Sequence, residues 1–193
     1  MTVTAMTSYP RLFTLGRTST RVTVRPLEQG DAGGLLKFFG RVPAEDRFYL
    51  KEDVTSPQVI DNWVNHIDFN RVVPLVALVE DEIVADATLH WSRAGARRHV
   101  GEVRVVVDPR YRDRGLGTLM VEEVVDLAHA KGLDSVVFEL VEGTEDNAIK
   151  VAERLGFTRV ATLPNFVNDM DGTPHNLVVM LLPLENWLEW SAY

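Results

Sequence analysis

The spacing of apolar residues changes along the chain between that of a strand and that of a helix. Alternating apolar positions on either side of a glycine turn predict two short strands within residues 11–27. Apolar residues at helical spacing then predict two helices, within 28–42 and 56–69. The runs 72–80 and 82–91 are strand-like and are joined by an acidic turn, a pattern typical of a hairpin. The first half of the chain therefore combines antiparallel strands with two helices.

The second half of the chain alternates strands with helices. A strand over 100–107 is closed by a proline, and an amphipathic helix over 117–132 follows it. A strand, a helix and two further strands are then predicted over 135–141, 145–156, 157–163 and 176–184. A strand–helix–strand unit forms a right-handed parallel crossover, whereas the hairpins require antiparallel neighbours. The sequence therefore predicts an α/β fold: one mixed, mostly antiparallel sheet of six to seven strands, with helices on both faces.

The composition of the chain is that of an ordinary globular protein, and its length fits one domain with a sizeable core, with two small domains as the alternative. Its 193 residues are 46% hydrophobic and 25% charged. We expect residues 1–18 to hold a loose tail and the first hairpin strand, and residues 19–193 to form the main domain. The chain has no cysteine, which excludes disulfides and thiolate metal sites. Because we find neither a signal peptide nor a membrane-spanning stretch, we expect a cytoplasmic protein with no membrane partner.

Net charge narrows the class of partner. The formal net charge is −8 and the pI is near 5.1, which argues against a dedicated nucleic-acid binder. An acidic surface favours cationic partners such as amines, although it also simply keeps a protein in solution. The histidines are scattered without ligand spacing, so that no metal site is predicted. The sequence leaves a homodimer open.

The stretch DPRYRDRGLGTLM, residues 108–120, joins a predicted strand to a predicted helix. Gly115 and Gly117 lack Cβ atoms, so their peptide N–H groups can approach a bulky anion, and a helix N-terminus favours negative charge. Arg112 and Arg114 add positive charge. The spacing fits neither a P-loop, which needs a lysine, nor the dinucleotide fingerprint, which needs a third glycine. A tight turn without a ligand is the alternative, but the flanking strand, arginines and helix favour a pyrophosphate site.

This stretch closely resembles the acyl-CoA-binding signature of the GNAT superfamily of N-acyltransferases. That signature is a strand, a hydrophobic-Asp-Pro turn and Arg/Gln-x-x-Gly-x-Gly/Ala at the start of a helix, and the chain has VVVDPRYRDRGLG there. Looser agreement runs from Val22 to Leu182 and includes VRPLEQGDA near the start and ERLGF at 153–157. The opening VTVRPL also resembles the GNAT domains of Pat-type protein lysine acetyltransferases.

The resemblance implies that acetyl-CoA is a co-substrate and that no metal is required. In the family the glycine turn binds the CoA diphosphate, and the pantetheine arm lies along the preceding strand like an added strand. This arrangement requires the parallel strands 100–107 and 134–141 to splay apart. The resemblance assigns cofactor binding to Val105, Val106, Val107, Arg112, Asp113, Arg114, Gly115, Leu116, Gly117, Thr118 and Asn147.

An amine must lose a proton before it attacks a thioester, so a base or a proton-relaying water is required. Glu102 is the first candidate, because many GNAT enzymes place a glutamate base on this strand. A surface ion pair of Glu102 with Arg104 is the alternative, since both side chains project from one face of the strand. Glu139 on the next strand is the second candidate, with a solvent-facing role as its alternative. His90 and His99 flank the region and titrate in a useful range, although a surface role is the commoner one.

Two positions depart from the family pattern. Many GNAT enzymes have a tyrosine that protonates the departing thiolate where this chain has Ala152, and an asparagine where it has Glu145. A thiol is a tolerable leaving group, so water can supply that proton. The departures keep a second interpretation open, that of a non-catalytic acyl-CoA-binding sensor or regulatory module.

The activity expected from the resemblance is transfer of an acetyl group to a primary amine by direct attack. A strand N–H near Val105 or Val106 would hold the tetrahedral oxyanion. The acceptor is either a protein lysine or N-terminal amine or a small-molecule amine. We expect the segments 28–70 and 162–176 to shape its pocket. Side chains suited to line that pocket are Trp63, Phe69, Phe166 and His175.

Overall fold

The structure, a computed structural model, describes residues 8–16, 18–185 and 187. Most of the expected loose tail, residues 1–7, lies outside the described residues. The strands are β1 (Arg11–Leu15), β2 (Thr20–Pro26), β3 (Val72–Val79), β4 (Glu82–Trp91), β5 (Val100–Val107), β6 (Ser135–Val141), β7 (Thr158–Asn168) and β8 (Pro174–Pro183). The described helices are α1 (Ala32–Arg41), α2 (Ala44–Arg47), α3 (Pro57–Asn65), α4 (Leu116–Ala130) and α5 (Asp146–Arg154).

The predicted mixed sheet is confirmed, with a higher strand count than expected. Eight strands pair in the order β1-β2-β3-β4-β5-β6-β8-β7. The count exceeds six to seven because every predicted strand segment, including the edge strand β1, joins the same sheet. All neighbouring strands are antiparallel except β5 and β6, which are parallel as predicted.

The parallel ladder is short, and its end creates the main irregularity of the sheet. Residues Val100–Val103 of β5 pair with Ser135–Phe138 of β6, and the ladder ends there. Among the described strands, residues 104–107 of β5 pair with β4 alone. The two parallel strands therefore splay apart beyond Val103, as the family resemblance implies.

Helices cover both faces of the sheet, as predicted. The helices α4 and α5 pack on one face, where Met120, Val124 and Leu127 of the predicted apolar stripe are buried. The helices α1 and α3 pack on the other face around Phe38 and Phe39, which are 0% and 1% exposed. Fully burying one such side chain stabilises the fold by roughly 1.5–3 kcal/mol. Within the described residues, no helix has the length and apolar character needed to cross a bilayer.

The first strand is fixed to α4 by a buried carboxylate. Glu123 accepts hydrogen bonds from the Tyr9 hydroxyl at 2.9 Å and from Arg11 Nη1 at 3.0 Å. A buried charge requires such partners. Burial, together with the charge of Glu123, raises the pKa of Tyr9 well above its ordinary value. The strand β1 therefore packs with the same core as the rest of the sheet.

The last two strands are longer than predicted. The strand β7 continues to Asn168 and β8 begins at Pro174, so that 162–176 forms the end of a hairpin. The register shifts between Leu163 and Val167, and Asn165 has a φ of +53°. Such a bulge interrupts the alternation by which a strand is recognised, which explains why the sequence pattern ended β7 too early.

Candidate active site

One large cleft joins the glycine turn to the helices α1 and α3. Its volume is about 1610 Å³, and the splay between β5 and β6 forms its middle. Two of the predicted site residues lie outside the lining: Arg114, and Leu116, which is buried in the core. The predicted site residues that line the cleft are Glu102, Val105, Val106, Val107, Arg112, Asp113, Gly115, Gly117, Thr118, Glu139 and Asn147.

The glycine turn leads directly into the first turn of α4. Asp113 and Gly115 have positive φ values of +57° and +91°, and α4 begins at Leu116. The first N–H groups of α4 have no partner within the helix, and no side chain caps the helix at Gly115. A Cβ added at Gly115 would meet nothing within 4 Å, and one at Gly117 would meet only Val107 Cγ2 at 3.7 Å. The turn therefore has the unobstructed backbone that an anion site needs.

The two arginines of the turn have different surroundings. The Arg112 side chain donates from Nε to the Val107 carbonyl at 3.1 Å and from Nη2 to Asp46 at 2.7 Å. The Arg114 guanidinium instead lies over the ring of Tyr111, 5.4 Å from its centroid. Of the two, Arg112 is the one that the structure brings into the cleft.

Asp108 fixes the start of the turn from inside the protein. Its side chain is fully buried and accepts from Arg41 Nε at 2.6 Å, from the Arg110 backbone N–H at 2.9 Å and from Arg110 Nη2 at 2.8 Å. Burial alone would raise the pKa of a carboxyl group. The hydrogen bonds from Arg110 and Arg41 outweigh that effect and lower the pKa of Asp108 to about 2.

Replacing Asp108 with asparagine should lower the free energy of unfolding at neutral pH by about 2–4 kcal/mol, because a buried charge cluster loses its anion. The folded-state pKa of Asp108 is depressed, so its stabilisation is complete above the unfolded pKa near 4 and is lost as the pH falls toward about 2. Urea unfolding at about pH 7 and about pH 3 measures both effects. The control Asp46→Asn, which breaks the partly exposed pair with Arg112, should cost at most about 1 kcal/mol. Equal losses in the two variants would contradict this role of Asp108.

The backbone of β5 alternates between β4 and the splay. The Asp108 N–H donates to the Val84 carbonyl at 2.9 Å. In an antiparallel ladder every second residue bonds to the same neighbour, so the backbone groups of Val106 point toward β4. Those of Val105 and Val107 point away from β4, toward the splay. The geometry therefore favours Val105 and Val107 over Val106 for backbone contacts with a ligand.

Glu102 lies in the cleft, but it is ion-paired. Its Oε1 accepts from Arg104 Nη2 at 2.8 Å and from Lys51 Nζ at 3.1 Å. Burial raises the pKa of this carboxyl, but the hydrogen bonds and charges of Arg104 and Lys51 outweigh burial, and the pKa is lowered. The ion pair offered by the sequence as the alternative is therefore present. A carboxylate with a lowered pKa is a weak proton acceptor, which weakens the case for Glu102 as the base.

The other predicted bases lie in different places. Glu139 is exposed on β6 and lines the cleft. Its backbone pairs with Val179, but its side chain has no hydrogen bond or ion pair with the described residues. His90 lies opposite Glu102, and burial together with the charge of Arg104 lowers its pKa to about 4. His99 is exposed and does not line the cleft.

Sequence reasoning missed a carboxylate that lines the cleft. Asp86 on β4 lines the cleft and lies between Val76 of β3 and Val106 of β5. Its one hydrogen bond among the described residues comes from Thr88 Oγ1 at 3.4 Å. Burial raises the pKa of Asp86 to about 7. The available signal was a single acid in the otherwise apolar run IVADA.

The two departures from the family pattern have clear structural settings. Ala152 is fully buried in the core and brings no polar group to the cleft. Glu145 accepts the backbone N–H of Val141 at 2.7 Å, and burial raises its pKa. Asn147, two residues further on, is exposed at the start of α5 and lines the cleft. Asn147 is therefore accessible to a ligand, whereas the Glu145 carboxylate accepts a backbone hydrogen bond at the end of β6.

Two of the four side chains predicted for the acceptor pocket line the cleft. Trp63 of α3 and Phe166 of β7 line the cleft. Phe69 does not line it and packs instead against the core beneath α4. His175 is also absent from the lining, and its Nε2 lies 3.0 Å from Asp169. Of the segments predicted to shape that pocket, α3, β7 and the residues after α2 contribute side chains to the cleft.

A comparison with protein families decides the classification of this fold and site. The sequence profile of the Acetyltransferase (GNAT) family matches residues 41–157, more than half of the chain. The chain belongs to the GNAT acetyltransferase family. The matched region contains the glycine turn and both splayed strands, and the resemblance proposed from the sequence is confirmed.

Individual relatives agree with this assignment. The [ribosomal protein bS18]-alanine N-acetyltransferase of Escherichia coli strain K12 is 30% identical over 80 residues, which are 42% of this chain and 53% of that protein. The chain thus spans about half the length of the curated relatives it matches. The GNAT domain of S. lividans PAT has a TM-score of 0.74 at 22% identity, over 90% of this chain and 96% of that one. For Salmonella typhimurium YncA, determined with its cofactor acetyl-CoA, the TM-score is 0.72 at 19% identity, over 85% and 94%.

Proposed function

We propose that this GNAT protein transfers an acetyl group from acetyl-CoA to a primary amine, by direct attack of the amine on the thioester. The observation that carries the proposal is the splay of β5 and β6 beside the open glycine turn, within one cleft. Together these features fit a molecule that has a diphosphate at one end and a narrow arm with amide groups. Acetyl-CoA has both.

The glycine turn would hold the diphosphate. The backbone N–H groups at Gly115, Gly117 and Thr118 lie at the N-terminus of a 15-residue helix, whose dipole favours an anion. Arg112 supplies a full positive charge at the same place. Its present partner Asp46 forms a partly exposed pair, which contributes little and can be exchanged for a phosphate.

The splayed half of β5 would hold the pantetheine arm. The backbone groups of Val105 and Val107 point into the splay, where an extended amide chain can pair with them as an added strand. The thioester would then lie near the point where the two strands part. There the Val105 N–H is placed to donate to the oxyanion that forms during attack.

The acceptor would enter from the end of the cleft beneath α1 and α3. That end is lined by the aromatic side chain of Trp63 and by the carboxylates of Glu52, Asp86 and Glu102. Lys51 and Arg104 also line the cleft and pair with Glu102, so Glu52 and Asp86 are the carboxylates left to attract a cationic acceptor. Primary amines are cationic at neutral pH. The name of the Escherichia coli relative describes the acetylation of an alanine amine of a ribosomal protein. Protein amines and small-molecule amines are both acceptors of this class.

Binding of acyl-CoA without transfer is the second candidate function. It is favoured by Ala152, which leaves the usual position of the general acid without a hydroxyl group, and by the ion pair that occupies Glu102. The diphosphate and pantetheine sites would be used in the same way. Only the chemistry at the acceptor end would be missing.

Thiol release from acetyl-CoA tests the proposed function. The panel contains a lysine peptide, a peptide with a free N-terminal alanine, a polyamine and a free amino acid. We expect thiol release with at least one of them, together with an equal amount of singly acetylated amine detected by mass spectrometry. The matched control is the corresponding tertiary amine, which cannot form an amide. Tight coenzyme A binding without acetylation of any amine would support the non-catalytic module instead.

A further inference from the structure

Asp86 is a carboxylate in an otherwise apolar strip of the sheet. Its neighbours across the two ladders are Val76, which is 0% exposed, and Val106, which packs against the core beneath α1. Asp86 itself remains partly accessible and lines the cleft. Such surroundings disfavour an ionised carboxylate unless a partner offsets the lost hydration.

The described residues provide no cation that forms an ion pair with Asp86. Its hydrogen bond from Thr88 Oγ1, at 3.4 Å, is long for one between two oxygen atoms. By contrast, Glu102 on the neighbouring strand β5 and Asp108 directly after that strand are each held by an arginine. Burial raises the pKa of Asp86 to about 7. This combination of a cleft position, no cationic partner and affinity for a proton is typical of functional carboxylates.

The position of Asp86 along the sheet places it beside the expected thioester. Asp86 is the ladder partner of Val106, and directly opposed residues have Cβ atoms about 4.5–5.5 Å apart. The next residue, Val105, carries the N–H that points into the splay. Glu102 lies further along β5, opposite His90.

We propose that Asp86 is the catalytic base, which receives the acceptor as a primary ammonium ion and removes the proton that prevents its attack. The inference rests on the proposed acetyl transfer and specifies its acceptor. A carboxylate without a cationic partner attracts a cation, so aliphatic amines, which arrive protonated, are favoured over aromatic amines, which arrive neutral.

The amine is deprotonated first and then attacks the thioester carbon. The ammonium R–NH₃⁺ gives one proton to the Asp86 carboxylate, and the lone pair of R–NH₂ forms a C–N bond to the thioester carbon while the C=O π pair moves to oxygen. When that pair returns, the C–S bond breaks and its electrons leave on sulfur. The proton on the now cationic nitrogen passes to the thiolate through water. The products are R–NH–CO–CH₃ and CoA–SH, and Asp86 returns its proton to solvent.

Neighbouring groups do not account for the pH response expected of Asp86. The pKa of His90 is lowered to about 4, and the pKa values of Glu102 and Asp108 are lowered too. Val76 of β3 is apolar. The titratable and charged groups that line this part of the cleft with Asp86 are His90 on β4, Glu102 and Arg104 on β5, Asp46 on α2, Tyr49, Lys51 and Glu52 after α2, and His66 after α3. Arg41 on α1 and Asp108 after β5 form an ion pair with each other.

Steady-state kinetics of Asp86→Asn test the inference, with the amine that the parent protein acetylates. We expect kcat/KM to fall by about 10²–10⁴-fold, the usual contribution of a general base. Coenzyme A affinity, measured by calorimetry, should stay at the parental value, because Asp86 does not contact the glycine turn. For the parent, log(kcat/KM) plotted against pH should rise with a slope of one below about pH 7 and level off above it. The variant should lack this inflection. Asp86→Glu keeps the carboxylate and should restore part of the activity together with the inflection.

The control is Asp81→Asn, in the exposed turn between β3 and β4, which should have parental kinetics. If Asp86→Asn keeps the parental kcat/KM or the parental inflection, the role of Asp86 is overturned and the acetyl transfer stands. The same holds if Glu102→Gln or Glu139→Gln removes the inflection instead. A parent protein that binds coenzyme A and acetylates no amine overturns the proposed function, and this inference with it.

Discussion

Replacing Gly115 with valine is expected to weaken coenzyme A binding by about 100-fold, because charge-assisted hydrogen bonds cost roughly 1.5–3 kcal/mol each when lost. Gly115 has a φ of +91°, a conformation that β-branched residues strongly disfavour. Either the turn changes its conformation and its N–H groups lose their direction, or the valine side chain enters the open space beside the turn. One or two contacts to the diphosphate are lost in both cases.

Gly95→Val is the matched control for this substitution. Gly95 lies in the exposed loop between β4 and β5, with a φ of +88° and nothing within 4 Å of an added Cβ. Both variants should therefore lose similar stability, on the order of 1–2 kcal/mol, measured by urea unfolding. Only Gly115→Val should lose affinity, measured by titration calorimetry with coenzyme A. Equal dissociation constants for the two variants would show that the turn does not bind the diphosphate.

The geometry of the glycine turn could be predicted from the sequence because its determinants are local. A strand, two glycines, two arginines and an amphipathic helix follow one another within 100–132. The conformation of such a contiguous stretch depends mainly on its own residues, so the strand, the turn and the helix could be read from them. The limit of this local reading is Arg114, which stacks on Tyr111 instead of facing the cleft. The sequence shows that a charged residue is near a turn, but it does not show in which direction the side chain points.

The acceptor end could not be predicted, because distant segments form it. Arg104 on the same strand lowers the pKa of Glu102 most among its partners, and Lys51, which lies 51 positions away in the sequence, lowers it further. Asp86 is the opposite case. Its ladder partners are apolar, and no neighbour neutralises it. The contact of Lys51 with Glu102 and the lack of a cationic partner for Asp86 among the described residues both depend on how distant segments pack on this face of the sheet. The local sequence shows the Glu102–Arg104 pair and the lone acid at 86, but not those tertiary contacts.

The carboxylates of Asp108 and Asp86 differ in what they contribute to the stability of the fold. Asp108 is held by two arginines and stabilises the fold as an anion. Asp86 has no such support, so its ionisation opposes folding. A functional group that is retained although it destabilises the protein is expected at catalytic sites. The free energy of unfolding therefore distinguishes a catalytic from a structural carboxylate independently of any substrate.

Asp86→Asn should accordingly make the protein more stable at about pH 8, by about 2–4 kcal/mol. Burial raises the folded-state pKa of Asp86 to about 7 from its ordinary value of 3.8. Below the unfolded pKa the carboxyl is protonated in both states and has no effect. As the pH rises from about 4 to about 7, the unfolded chain releases the proton and the folded chain retains it, so stability falls by up to about 1.4 kcal/mol for each pKa unit of difference. Asparagine does not titrate and avoids this loss.

Urea unfolding of the parent and Asp86→Asn at about pH 5 and about pH 8 measures the effect as a difference between the two proteins. The contributions of titratable groups that both proteins share cancel in that difference. The difference in the free energy of unfolding should therefore increase from about pH 5 to about pH 8. Asp81→Asn removes the same charge from an exposed turn and should give no comparable gain. If Asp86→Asn were less stable than the parent at the higher pH, the carboxylate would have a stabilising partner in the folded protein. Asp86 would then be a structural residue like Asp108, and the proton acceptor of the reaction would have to be another group.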